Sequence, residues 1–149
     1  MNRRGFLVGT LLGLGSCRLA VPTAADTRFS ASPFTLGIAS GDVTDDGAVL
    51  WTRLAPEPLE ANGGLDPYNI PVQWELSLDP DMSRVIRRGE ATATPTFAHS
   101  VHVELDGLEP DREYWYRFSV SSHSSPTGRT KTLPQRNSHP DSVRFITAS

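Results

Sequence analysis

The fold is decided by the stretch Leu108-Glu109-Pro110-Asp111-Arg112-Glu113-Tyr114, which follows a turn at Asp106-Gly107. Its Leu-x-Pro-x-x-x-Tyr spacing is typical of a tyrosine corner, in which the tyrosine hydroxyl bonds to backbone upstream and fixes where the chain crosses between sheets. Tyr114 also opens an alternating run in which Tyr114, Tyr116, Phe118 and Val120 share one face. The stretch therefore predicts a strand of an antiparallel sandwich with these four side chains facing inward.

Short alternating runs, separated by turn residues, extend in both directions from this corner. The expected strands span residues 34–39, 48–54, 72–78, 84–93, 99–105, 112–121 and 128–133. The run at 84–93 is the most polar, which indicates an edge strand, and Trp74 lies where such sandwiches often bury a tryptophan. Seven short strands with turns every ~8–12 residues predict an all-β fold, an antiparallel sandwich of the fibronectin type III or immunoglobulin-like kind.

Residues 1–25 precede this domain and have the composition of an export signal. Arg3-Arg4-x-Phe6-Leu7 matches the core of a twin-arginine signal, because two arginines stand directly before an apolar stretch. An ordinary Sec signal that carries an arginine pair is the alternative. The apolar stretch is shorter than the ~20 residues of a membrane span. We therefore expect export by the twin-arginine route to the periplasm or the outside of the cell.

The chain's only cysteine, Cys17, lies in this leader and leaves two processing sites open. Cleavage after Thr23-Ala24-Ala25 would release a soluble chain that begins at Asp26. Leu14-Gly15-Ser16-Cys17 instead resembles a lipobox, in which Cys17 becomes a lipidated N-terminus that anchors the protein to a membrane. We expect the soluble form, with the lipid anchor at Cys17 as the alternative.

The charge of the chain argues against one class of partner. The chain has 14 basic and 17 acidic residues, a net charge of −3. Arg3, Arg4 and Arg18 lie in the leader, so the remaining residues carry 11 basic and 17 acidic groups, a net charge of −6. Because a protein that binds a phosphate backbone needs a basic field, the composition indicates no nucleic-acid binding.

The four histidines are the first candidates for metal ligands or bases. His99 and His102 are three positions apart on an expected strand, which places them on opposite faces and prevents them from sharing a metal. His123 lies in a serine-rich turn and His139 in a polar segment. We interpret all four as surface or partly packed side chains, and we predict no catalytic, cofactor-binding or metal site in this chain.

An acidic loop contains Asp42, Asp45 and Asp46. Its spacing is not that of a calcium-binding EF-hand, which needs a glutamate at the twelfth position, where this chain has Arg53. Asp46-Gly47 is typical of a hairpin turn, so we predict a turn here.

Trp115 points outward between Tyr114 and Tyr116 in the expected strand. An outward tryptophan faces solvent, a neighbouring loop or a partner surface, and Trp115 is the residue that we single out for a contact between domains. The pairs Arg87-Arg88 and Arg129-x-Lys131 are interpreted as solvated strand charges.

The character of the chain changes after the last expected strand. Residues 134–142 are polar and bracketed by prolines, which is typical of a linker, and Ser142 to Ser149 then begin another strand. We expect an export signal at 1–25, a sandwich domain at 33–134, and, at 135–149, a linker with the first strand of a further domain that is truncated.

Beyond these patterns, the sequence resembles the N-terminal region of alkaline phosphatase D (PhoD-like) enzymes. The resemblance begins with Phe34-Thr35-Leu36-Gly37-Ile38-Ala39-Ser40-Gly41-Asp42 and Ala48-Val49-Leu50-Trp51-Thr52-Arg53-Leu54-Ala55-Pro56. It continues through Val72-x-Trp74-Glu75, Arg87-Arg88-Gly89, Ala98-His99-Ser100-Val101-His102-Val103-Glu104, Gly107-Leu108-x-Pro110, Tyr114-Trp115-Tyr116-Arg117-Phe118 and Ser125-Pro126-x-Gly128-Arg129-Thr130. One departure is Val43, where relatives commonly have proline.

The resemblance implies a fibronectin-like domain followed by a metallophosphoesterase domain that hydrolyses phosphate mono- and diesters, with iron and calcium as its metals. Residues 144–149 resemble the strand that enters that domain, and the family's metal ligands lie beyond it. None is therefore carried onto a residue of this chain.

Three interpretations follow from this resemblance and from the leader. The first is an N-terminal fragment of an exported PhoD-like phosphatase, inactive alone, whose partner is its own catalytic domain. The alternative from another class is a free-standing fibronectin-like binding module at the cell surface, tethered through Cys17. The N-terminal domain of a purple-acid-type phosphatase fits the quoted motifs less well.

Overall fold

The computed structural model describes residues 31–139 together with Phe29 and Ser142. Eight strands form within this part of the chain, and every pairing between them is antiparallel. Their bounds are β1 Ile38–Gly41, β2 Ala48–Arg53, β3 Ile70–Ser77, β4 Val85–Ala93, β5 Ser100–Leu105, β6 Glu113–Val120, β7 His123–Ser124 and β8 Gly128–Lys131. The helical structure in the described residues is limited to two short 3-10 turns, Ala61–Gly64 and Pro95–Phe97.

The strands form two sheets. A three-stranded sheet has the order β1-β2-β5, and a five-stranded sheet has the order β4-β3-β6, with β7 and β8 both pairing with β6. Inward residues of β2, β3, β4, β5 and β6 are buried in one common cluster, because the inner faces of the two sheets pack on each other. The main members are Leu50, Val101, Val103, Leu105, Val72, Leu76, Tyr114, Tyr116, Phe118 and Val120. The protein is therefore an all-β antiparallel sandwich of the fibronectin type III kind, as predicted.

The tyrosine corner forms as its spacing predicts. The backbone N–H of Glu109 donates to the hydroxyl of Tyr114 at 2.8 Å, and both Tyr114 and Leu108 are buried. The N–H of Leu108 donates to the carbonyl of Asp46 at 2.8 Å, which ties the corner to the β1–β2 loop. The crossing from β5 to β6 is thus fixed at both sheets.

The strand predictions hold except at the first strand. Residues 34–37 form a turn in which the N–H of Gly37 donates to the carbonyl of Phe34 at 3.0 Å, and β1 begins only at Ile38. Gly37 has φ of 75°, a left-handed conformation that is incompatible with a strand, so residues 34–37 cannot continue β1 toward the N-terminus. Phe34 is nevertheless buried in the core. The polar run predicted as an edge strand is β4, which does lie at the edge of its sheet.

Two side chains of the five-stranded sheet differ from their sequence interpretation. Trp74 faces the core but is only partly buried, and its indole lies over Gly89 of the neighbouring strand. Arg87 is solvated only in part, with 37% of its side chain exposed: its guanidinium also donates to the backbone carbonyls of Asp106 and Gly107, the latter at 3.1 Å. Arg87 faces inward from the edge strand, so it connects that strand to the turn after β5.

Two predicted segments lie outside the described residues. These are the export signal at 1–25, with Cys17, and the strand expected at 142–149, of which only Ser142 is described. Among the residues that are described, no helix has the length and apolar character needed to cross a membrane.

Candidate interaction surfaces

Trp115 lies on the outer face of the five-stranded sheet, where it is half-buried. It pairs with Arg129 of β8 across the strands. Two ion pairs lie on the same face: Arg117 to Glu75 at 2.8 Å and Arg129 to Glu113 at 3.1 Å. The outward orientation that the sequence predicted for Trp115 is confirmed, and its surroundings are charged.

A shallow groove of about 280 Å³ lies on the outer face of the three-stranded sheet. We call it the Trp51 groove; its lining is Ala39, Ser40, Gly41, Asp42, Val49, Trp51 and His102. Trp51 of β2 is the cross-strand partner of Ala39 on one side and of His102 on the other. Because Ala39 and Gly41 have little or no side chain, the Trp51 indole borders an open apolar surface.

The segment that leaves the last strand is bound to the β1–β2 loop at the same end of the sandwich. The N–H of Leu133 donates to the carbonyl of Thr44 at 2.9 Å, and the N–H of Arg136 donates to Oδ2 of Asp45 at 3.1 Å. A second surface pocket, of about 240 Å³, lies between the two segments and is lined by Val43, Thr44, Asp45, Leu133, Pro134 and Arg136. The first residues of the predicted linker are therefore held against the sandwich.

The acidic loop forms a turn, as expected, but not the tight hairpin that Asp-Gly favours. Six residues, 42–47, connect β1 to β2, and the N–H of Thr44 donates to the carbonyl of Gly47 at 2.9 Å. A Cβ at position 47 would lie 2.6 Å from the carbonyl oxygen of Leu105. Glycine is needed here because the backbone of β5 approaches closely.

The histidines lie apart from one another, but two of them differ from their sequence interpretation. His99 is fully buried and precedes β5, with φ of 57°, and its Nε2 lies 3.1 Å from the carbonyl of Tyr68. A carbonyl can only accept, so Nε2 carries the proton, and Nδ1 has no partner among the described residues. His123 belongs to β7 and makes an edge contact with the ring of Phe29, while His102 and His139 are exposed.

Iron and calcium, the metals that the resemblance implies, would need converging ligand side chains. Within residues 31–139, 29 and 142, no three His, Cys, Asp or Glu side chains converge as metal ligands would.

The pKa of one core tyrosine is shifted by its surroundings. Burial raises the pKa of Tyr116, and a hydrogen bond with Ser40 opposes that shift.

Comparison with known proteins decides the family. The profile described as "PhoD-like phosphatase, N-terminal domain" matches residues 19–134. The chain belongs to this family. Alkaline phosphatase D of Bacillus subtilis (strain 168) is 46% identical over 147 residues, which are 97% of this chain and 25% of that protein. The PhoD-like chain therefore spans about a quarter of the length of that curated relative.

A solved structure agrees with the assignment to the PhoD-like N-terminal domain. A structure described as "Structure of PhoD" superposes with a TM-score of 0.75 at 50% identity, over 77% of this chain and 22% of that chain. A fibronectin type III domain derived from the human KIAA0970 protein superposes with a TM-score of 0.47 at 12% identity, over 75% of this chain and 82% of that chain.

The Trp51 groove was not found by sequence reasoning, although a signal for it exists. The four residues Ala48-Val49-Leu50-Trp51 are all apolar, whereas a strand with one solvated face alternates. A continuous apolar run of this length is consistent with a strand that is covered on both faces. We interpreted the run only as a strand, and its outward members received no role.

Proposed function

We propose that this chain is the N-terminal supporting domain of an exported PhoD-like phosphatase, and that the catalytic site belongs to a metallophosphoesterase domain encoded downstream. The match of the family profile to residues 19–134 carries this proposal. Further support comes from the length of the relative, of which this chain covers 25%. On this proposal the sandwich hydrolyses nothing itself and contacts its own catalytic domain.

The first test is the coding sequence beyond Ser149, followed by an assay of both products. We expect the reading frame to continue, and the longer product to hydrolyse p-nitrophenyl phosphate and bis-p-nitrophenyl phosphate in the presence of iron and calcium. The 149-residue chain should give no turnover above background. A stop codon after Ser149 would contradict the proposal and favour a free-standing binding module, and so would hydrolysis by the short chain.

Export by the twin-arginine route, to the periplasm or the outside of the cell, is the second part of the proposal. It rests on Arg3-Arg4-x-Phe6-Leu7 at the start of the chain. The test fuses residues 1–30 to a reporter and compares it with the double variant Arg3→Lys, Arg4→Lys, which keeps the charge. We expect the variant to abolish export, whereas a Sec signal would tolerate lysines because that route reads charge and apolar length.

Release as a soluble protein is the third part, and the mass of the mature N-terminus tests it. Cleavage after Ala25 gives a chain that begins at Asp26 without Cys17. A diacylglyceryl adduct on Cys17 would instead establish a lipid anchor. The variant Cys17→Ser separates the two, since it should leave the localisation of a soluble product unchanged and abolish that of an anchored one.

A further inference from the structure

On the outer face of the three-stranded sheet, β1 and β2 present small and apolar residues at the end where the chain leaves the sandwich, beside the exposed His102 and Glu104 of β5. Val49 and Trp51 point outward from β2, beside Ala39 and Gly41 of β1. Their counterparts on the inner face, Ala48 and Leu50, are fully packed in the core. Strand β2 thus has apolar side chains on both faces, a pattern typical of strands with packing on both sides.

The exit segment begins beside this groove. Asp42 lines the Trp51 groove. The next residue, Val43, lines the second pocket, which lies between the β1–β2 loop and the exit segment at residues 133–136. Thr44 and Asp45 then accept the N–H groups of Leu133 and Arg136. The β1–β2 loop therefore has the groove on one side and the departing chain on the other. Whatever follows the linker starts its path next to the half-buried apolar side chains of Val49 and Trp51.

We propose that the domain downstream of this chain docks on the Trp51 groove, with the bound exit segment setting its orientation. This inference rests on the proposed function, because it needs a downstream domain. The proposed occupant corresponds to the part of a relative that lies outside the match, since this chain covers 25% of alkaline phosphatase D from Bacillus subtilis. Its contacting surface is expected to be apolar, to match Val49 and Trp51, with polar groups near His102 and Asp42.

The opposite outer face is the less suitable surface. Around Trp115 the charges of Arg117, Glu75, Arg129 and Glu113 are already paired with one another within the sheet. A domain that covered them would remove partly solvated ion pairs from water, and the desolvation cost opposes such burial. The Trp51 groove has no such pairs in its lining. Docking there removes apolar surface from water, which is favourable.

The test uses cysteine accessibility, because the described part of the chain has no cysteine of its own. Ala39→Cys places a thiol in the groove beside Trp51, and Arg129→Cys places one beside Trp115; both positions are exposed. Each variant is labelled with a maleimide in the 149-residue chain and in the longer gene product, and peptide masses assign the label. Near-ultraviolet circular dichroism checks that each variant keeps the fold.

We expect the thiol at position 39 to react at least tenfold more slowly in the longer product than in the short chain, independently of protein concentration. The thiol at 129 should react equally in both. Equal reactivity at 39 would overturn the inference, as would protection at 129 instead. Protection of 39 that grows with concentration would overturn it in favour of contact between two copies. A missing downstream domain is a different failure, that of the proposed function, and the reading frame reveals it first.

A second pair of variants tests which tryptophan holds the interface. In the longer product that carries Ala39→Cys, Trp51→Ser removes the outward indole of the groove, and Trp115→Ser removes the half-buried indole of the other face. We expect Trp51→Ser to restore the labelling rate of the short chain and Trp115→Ser to leave position 39 protected. The reverse result would overturn the inference.

Discussion

Tyr114 joins two parts of the sandwich through one hydroxyl group. Its ring is packed in the core, and its oxygen accepts the N–H of Glu109 from the turn that leads out of β5. The Leu-x-Pro-x-x-x-Tyr spacing was sufficient to predict this bond, because the geometry depends on local chain length and on a proline that stiffens the turn. The buried position of the ring explains why loss of the hydroxyl alone should be measurable.

We predict that Tyr114→Phe lowers the free energy of unfolding by about 1–2 kcal/mol, because the N–H of Glu109 loses its partner while the ring stays packed. Urea denaturation measures the change. Tyr68→Phe is the control, since Tyr68 lies exposed on a loop and should leave stability unchanged. Equal stability of the two variants would show that the corner does not hold the crossing.

Gly128 allows β8 to lie close to both sheets. A Cβ at this position would lie 2.5 Å from Cζ of Tyr116 and 2.8 Å from Cδ1 of Ile38. We predict that Gly128→Ala destabilises the fold by about 1–3 kcal/mol through overpacking, measured by thermal or urea denaturation. At Gly41 a Cβ would meet nothing within 4 Å, so Gly41→Ala is the matched control and should be tolerated.

His99 illustrates what the sequence could not supply at this scale. The alternation of residues 99–105 places His99 on the same face as Val101 and Val103, yet we interpreted all four histidines as surface or partly packed side chains. In the structure Ala98 and His99 both have positive φ, so the chain turns before β5 begins and carries the imidazole inward. The spacing of apolar residues does not predict that two successive residues, neither of them glycine, adopt the left-handed conformation. Such a conformation is imposed by contacts with the surrounding structure.

At the scale of elements, the strands with one clear apolar face were the predictable ones. Val101, Val103 and Leu105 of β5, and the four inward residues of β6, are buried as their period of two predicts. The first strand was misplaced because Phe34 and Leu36 alternate although they lie in a turn. Phe34 contributes to the core from outside any strand, and hydrophobic pattern alone does not distinguish these cases.

The β3–β4 turn depends on Asp79. Oδ1 accepts the N–H of Ser83 and Oδ2 its hydroxyl, both at 2.8 Å, and Ser77 donates to Oδ1 at 3.2 Å. Burial by itself raises the pKa of Asp79, but the hydrogen bonds from Ser83 and Ser77 together hold it below its ordinary value near 3.8. A carboxyl whose pKa is lowered on folding stabilises the native state when ionised.

We therefore predict that Asp79→Asn is less stable than the wild-type protein at neutral pH, and that the difference disappears in acid. The contribution of the ionised carboxylate is complete above its unfolded pKa near 3.8 and is lost as the pH falls through the lower folded value. Urea denaturation at a series of pH values from 7 down to 3 measures this. Asp81→Asn, at an exposed neighbouring position, is the control for the same change of side chain outside the hydrogen-bonded turn. A constant difference across the series would mean that the effect is steric rather than electrostatic.

At the scale of the whole molecule, composition and motif order indicated the family, while the surfaces required coordinates. The Trp51 groove combines residues of β1, β2 and β5, and the register of three strands brings them together. The exit segment was predicted as a linker from its prolines and polar residues. Its first residues are instead bound to a loop about 90 positions earlier in the chain, a long-range pairing that local composition cannot encode.

The hydrogen bond from the backbone N–H of Arg136 to the carboxylate of Asp45 extends the attachment between the exit segment and the β1–β2 loop as far as residue 136. Its loss should free residue 136 while leaving the sandwich intact, because the backbone bond from Leu133 to Thr44 does not depend on the side chain. We predict that Asp45→Ala speeds amide hydrogen exchange at Arg136 about fivefold, which corresponds to a net hydrogen bond of about 1 kcal/mol. Exchange at Leu133 should stay unchanged. Asp42→Asn is the control, since Asp42 lines the groove and not the pocket of the exit segment, and asparagine tolerates the positive φ at this position. If exchange at Arg136 is the same in all three proteins, the carboxylate does not hold the exit segment. The chain would then be attached to the β1–β2 loop only as far as Leu133, and the connection to a following domain would be flexible from residue 134 onward. Under the proposed docking, the Trp51 groove would be the remaining contact that determines the position of that domain.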